Sequence, residues 1–228
     1  RQGIEAFEAD LISLEKDGNS WNEIELLFFS PYEDVREGVC DVLLRSFDKV
    51  QSDKKTIEPS WMQSITDYLV SQICENAILP DIRFQTLQIV IYSLFSIKLT
   101  GSISSNKFIV LFKKLYQEDG ILSDVIDTVL SEPHPPFSFE SFRQLLLFIV
   151  CDSTYAPYAP PYLQIYNRHC DSSLSVPLMT EMCLLHRVHI PSVAAILRTP
   201  SADASAAVSN AVLMALITSL QTSSDFMR

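Results

Sequence analysis

Apolar residues along this chain recur three and four positions apart, the period of a helix with one buried face, and rarely alternate as a strand would require. Ile4, Phe7, Leu11 and Leu14 predict a helix over residues 4–15, stopped by Lys16-Asp17-Gly18. Asn19-Ser20 can cap a second, which carries Trp21, Ile24, Leu27 and Phe28 and ends at Ser30-Pro31. A third, over residues 33–50, sets Val35, Val39, Val42, Leu43 and Phe47 on one side and Glu37, Asp41 and Arg45 on the other. Ser60 caps a fourth with Trp61, Ile65, Tyr68, Leu69 and Ile73. Leu79-Pro80-Asp81 closes it and opens residues 82–97, apolar nearly all round and therefore expected to be central.

The second half reads the same way with more interruptions. Ser105 is expected to cap a helix through Phe108, Leu111, Phe112 and Leu115, and Gly120 to separate it from one with Ile121, Val125 and Leu130. Pro133, Pro135 and Pro136 force a break, residues 141–150 are helical again, and residues 155–161, with three prolines, read as a loop. Further helices are expected over 162–168, 178–188, 192–197 and 203–220. The expectation is an all-α chain of about a dozen helices.

Two stretches match each other. Ser30-Pro31-Tyr32-Glu33-Asp34-Val35-Arg36 is followed by Val39, Val42 and Leu43, and Leu79-Pro80-Asp81-Ile82-Arg83 by Thr86, Ile89 and Val90. Arg36 and Arg83 stand 47 residues apart. A weaker third copy is Ser141-Phe142-Arg143 with Leu145, Leu146 and Ile149. An aspartate opening a helix accepts from first-turn amides and favours the positive end of its dipole. The arginine two positions later can reach an acid or carbonyl of the next layer. This pattern resembles the junction inside HEAT and armadillo repeats, whose units run to about 40–47 residues. The resemblance covers residues 20–100 well and 101–228 by helix content. It implies one irregular α-solenoid of antiparallel helix pairs over residues 1–228, with Asp34, Arg36, Asp81 and Arg83 as structural residues. Because the chain opens on Arg1 and not Met, it is expected to be a piece of a longer protein.

Composition narrows the functional classes. Five glycines in 228 residues leave little of the turn chemistry that phosphate loops, dinucleotide folds and β-sandwiches use. A formal charge of −11 opposes binding to a nucleic-acid backbone as the main function. The acidity is concentrated in residues 1–50, where twelve acids face five bases: a solvated helical face, or a patch that steers a basic partner. Cys40, Cys74, Cys151, Cys170 and Cys183 are odd in number and without close pairs, the usage of a reducing compartment, cytoplasm or nucleus. The longest apolar stretches fall short of the ~20 residues that span a bilayer, so no membrane role is expected.

Catalytic and metal readings find no support in spacing. Cys183 and His186 would share a helix face, but His189 lies about 120° around from Cys183, so the three do not converge as zinc requires. His169-Cys170 point apart, His134 is flanked by prolines, and no Gly-x-Ser-x-Gly turn is present. Carboxylate pairs such as Glu23 and Glu25 lack an apolar pocket to raise a pKa. Ser30-Pro31 and Thr199-Pro200 are read as helix stops before phosphorylation sites. No catalytic, cofactor or metal residue is assigned.

The chain is therefore expected to be a non-enzymatic scaffold or adaptor that binds one or more proteins or peptide segments. The alternatives are a purely structural repeat segment and an unrecognised helical enzyme. The 47-residue register aligns Asp41 with Gln88 and Arg45 with Tyr92 on successive second helices. Gln144 and Phe148 would extend that outward strip in the third copy, the bland alternative being that Tyr92 and Phe148 pack between layers.

Overall fold

The computed structural model describes residues 26–52, 60–96, 101–132, 137–152 and 154–169; they are all-helical, with no strand among them. The helices expected over 4–15, 178–188, 192–197 and 203–220 lie outside the described residues, as do Ile97, His134, Cys170, Cys183, His186 and His189. The chain divides into two compact units, Arg1–Ser138 and Phe139–Arg228.

In the first unit a helix ends at Phe28, and α1 (Glu33–Ser52), α2 (Ser60–Cys74), a 3-10 turn (Pro80–Ile82), α3 (Arg83–Phe95), α4 (Gly101–Leu115) and α5 (Ile121–Ser131) follow. The amphipathic pattern of α1 is met from Val39 on: Val39, Val42, Leu43 and Phe47 are buried while Glu37, Asp41 and Arg45 are exposed, and Val35, also expected inward, is half-buried in the first turn. In α3, residues 89–95 are all buried, as a nearly all-apolar helix must be, and it packs against α1, α2, α4 and α5. Helix α1 thus meets α3 and α3 meets α5, while α2 meets α4 beside them. Phe95 closes this centre, its ring 5.4 Å from Phe108 and 5.7 Å from Phe137.

Turns between helices use specific backbone chemistry. Helix α2 ends before the expected Leu79-Pro80 stop, because Asn76 takes a left-handed conformation (φ 56°). Its N–H donates to Ile73 O and that of Ala77 to Gln72 O, satisfying carbonyls that the helix leaves open. Gly120, at φ 78°, makes the corresponding reversal before α5.

Two expectations are corrected. Ser105 is no cap: α4 starts at Gly101, and Ser104 and Ser105 lie buried inside it, where their small side chains suit a packed face better than a helix end. Residues 155–161 are not a loop. A 3-10 turn (Ala156–Tyr158) leads directly into a helix over Ala159–His169, with Pro160 and Pro161 in its first turn. Amides of a first turn have no intrahelical acceptor, so proline there removes no bond.

The second unit is described by α6 (Glu140–Cys151), that 3-10 turn, and α7 (Ala159–His169), which pack on one another. Phe142 and Tyr166 meet at 5.7 Å, and Phe139 meets the same tyrosine edge-on at 6.4 Å.

Candidate functional site

The matched arginines hold successive junctions together. Arg36 is 9% exposed; its Nε donates to Asp81 Oδ2 at 2.8 Å, its Nη2 lies 2.6 Å from the same oxygen, and its Nη1 donates to Ser30 O at 2.6 Å. One guanidinium therefore ties the turn before α1 to the turn before α3. Arg83 repeats the step, donating from Nη2 to both carboxylate oxygens of Glu118 at 2.8 and 2.6 Å, in the turn before α5. In each case a planar cation at a helix start takes an acid from the next junction. Arg143, in the second unit, pairs with Glu140, three residues earlier on its own helix, at 3.1 Å.

On the α2 and α4 side, Lys107 Nζ lies 2.6 Å from Asp67 Oδ1, an ion pair without hydrogen-bond alignment. Cys40 sits between α1 and α3, its thiol hydrogen-bonded with Thr86 and pushed up to about 12, first by burial. Thr86 in turn donates to Ile82 O at 2.7 Å. A thiol held neutral at pH 7 is a poor nucleophile. Cys40 is expected to resist iodoacetamide in the native chain and to react fully in denaturant, which peptide mass spectrometry after alkylation checks; native labelling at the rate of a free thiol would contradict this packing.

The six residues assigned to an outward strip separate into three groups. Asp41 and Arg45 are exposed on α1, with Arg45 Nε donating to Asp41 O at 3.2 Å, and Gln88 is half-buried on α3. Tyr92 is not outward. It is 3% exposed, its hydroxyl donates to Glu132 Oε2 at 2.9 Å, and its ring meets Phe137 edge-on at 6.2 Å. Burial first, and then Glu132, hold this phenol above the ordinary tyrosine range. Its stabilisation is complete below the unfolded-state value and is withdrawn as the pH rises beyond it. Tyr92 is buried because α3 has no free face at this level: α5 packs against the helix, and Glu132, the residue after α5, takes the hydroxyl.

Gln144 and Phe148 belong to the second unit. Gln144 is exposed and donates to Glu140 at 2.8 Å, whereas Phe148 is half-buried with its ring 5.3 Å from Tyr155. The bland alternative therefore holds for Tyr92. In place of Tyr92 the outward side of α3 presents Phe84, 37% exposed and four residues before Gln88. The register aligns Phe84 with Glu37, a signal that was available in the sequence. On α5 the outward residues are Asp124, Thr128 and Ser131, the first and last of them exposed and Thr128 half-buried.

Among the described residues no group of three or more His, Cys, Asp or Glu side chains could hold a metal ion, and no helix is long and apolar enough to cross a membrane. No family model matches the chain, and no curated protein or solved structure matches it at a significant level.

Proposed function

We propose that this chain is a protein-binding scaffold module in which helix pairs stack in the manner of HEAT and armadillo repeats. The observation that carries the reading is the repeated step from an arginine at one helix start to an acid in the next junction, Arg36 to Asp81 and Arg83 to Glu118. A link that recurs along the chain joins layers one after another, and a stack joined in this way offers a continuous row of helix faces. Asp41 and Arg45 on α1, Phe84 and Gln88 on α3, and Asp124 on α5 supply mixed charge, amide and aromatic groups for such a face. The partner is a protein or peptide segment, and no cofactor is assigned. Free thiols at Cys40 and Cys74 support a reducing compartment.

The test is site-specific photo-crosslinking from position 88 in cells, followed by affinity measurement on the partner that is captured. Arg45→Ala with Gln88→Ala is expected to weaken that partner by about tenfold, as loss of one or two interface contacts does, with the melting temperature unchanged. Unchanged affinity would move the reading to a purely structural repeat segment whose partners bind elsewhere.

A further inference from the structure

We infer that the rim formed by the first two junctions is a docking site for a basic protein segment carrying large apolar side chains. Leu26 is 72% exposed, Tyr32 67%, Phe29 39% and Leu79 37%. Scattered apolar residues on a surface need no explanation, but a cluster does. Leu26, Phe29 and Tyr32 flank the turn before α1 and Leu79 the turn before α3, and Arg36 clamps the two turns: it donates to Ser30 O, between Phe29 and Tyr32, and to Asp81, two residues after Leu79. The 47-residue register also places Tyr32 and Leu79 at equivalent positions, each just ahead of the helix start. The rim is bounded, since the third junction, Tyr116-Gln117-Glu118-Asp119-Gly120, has one large ring, and Tyr116 is half-buried with that ring 5.8 Å from Phe112.

Among the described residues the core does not draw on these side chains. The same junctions bury Phe28 and Ile82 to 1% exposure each, and those residues fill the core. Hydration of Leu26 and Tyr32 is a standing cost that a covering surface removes, at about 25 cal/mol for each Å² of apolar area.

Charge selects the partner. Glu33, Asp34 and Glu37 are exposed beside the rim and carry no ion pair among the described residues. The arginines at the two helix starts, Arg36 and Arg83, are already committed to Asp81 and Glu118. The positive end of α1 is met by its own Glu33 and Asp34, so the rim repels an acidic segment and attracts lysine and arginine. A segment with two or three large apolar residues among basic ones fits both features. The inference rests on the scaffold reading only in taking the occupant to be a protein; it names a different surface from the row around Gln88.

Three synthetic 20-residue peptides, labelled and titrated with the intact chain by fluorescence anisotropy, test it. One carries Leu, Phe and Tyr among Lys and Arg, the second the same apolar residues among Asp and Glu, and the third the basic residues with serine in place of the apolar ones. Only the first is expected to bind, and Leu26→Asp with Tyr32→Asp is expected to weaken it at least tenfold. Glu33→Lys with Glu37→Lys, which leaves the apolar groups in place, gives a second route to the same loss if the first variant melts early. Gln88→Ala should leave this binding unchanged. Equal binding of the acidic peptide or of the serine peptide, or no response to either rim variant, overturns the docking site. Sensitivity to Gln88→Ala but not to the rim variants would keep the scaffold reading and remove this one.

Discussion

Replacing Arg36 with alanine is expected to lower the unfolding free energy by about 2–4 kcal/mol, the cost of breaking a largely buried ion pair and leaving its acceptors behind. Asp81 would lose its only cation among the described residues, and Ser30 O a donor at 2.6 Å. The side chains of Arg36 and Asp81 are 11% and 21% exposed, against 25% and 38% for Arg83 and Glu118. Water therefore compensates the second pair more fully, and Arg83→Gln should cost about 1 kcal/mol or less and lose part of that effect in salt. A double-mutant cycle with Asp81→Ala separates the pair from the rest of the side chain, and a coupling of at least about 1 kcal/mol is expected for residues in direct contact. Urea unfolding of the full chain supplies each value. An Arg36→Ala midpoint equal to that of the parent would remove the layer-joining role and with it the main support for a stacked repeat.

The parts of this fold that were legible in the sequence are those where one local rule decides. Apolar spacing alone gives α1, since Val39, Leu43 and Phe47 can share only one buried side. The central place of α3 follows from its lack of a polar face. The arginine step was legible because an aspartate, an aliphatic residue and an arginine recur at one spacing, although the acid that Arg83 takes, Glu118, lies outside any repeated pattern.

Where two rules compete, sequence reading went astray. Three prolines suggested a loop before Tyr162, but Pro160 and Pro161 fall where a helix has no amide to lose. A capping preference suggested Ser105, but burial of a small side chain outweighed it. Tyr92 was placed outward by register, which fixes the angle of a side chain around its own helix and says nothing of what stands opposite. Glu132, forty residues on, supplies the acceptor that makes burial of its hydroxyl tolerable. The exposed rim was missed for a related reason: Leu26 and Tyr32 are ordinary helix and turn residues until the Arg36 clamp brings the second junction beside them.

The largest effect is expected at Phe95, where alanine should cost about 3–5 kcal/mol. The ring is fully buried at the end of α3, between Phe108 of α4 and Phe137, and the Phe95 carbonyl accepts from Ser138 N–H at 2.9 Å. Its removal leaves a void bordered by two rings and by the chain that returns from α5. Those neighbours are held on separate elements and cannot all close inward, so both the transfer term and the cavity term are lost. Phe84 provides the control on the same helix. It is 37% exposed, and the same change there should cost about 1 kcal/mol or less, with an equal change in helix propensity. Phe95→Leu, which refills part of the void, should fall between them. A small protein is stable by only about 5–15 kcal/mol, so the Phe95→Ala chain should show a markedly lower denaturation midpoint and faster amide exchange through α3 and α4. Equal losses at Phe84 and Phe95 would mean that α3 is not the centre of the first unit, and the packing of α1, α2, α4 and α5 around it would have to be redrawn.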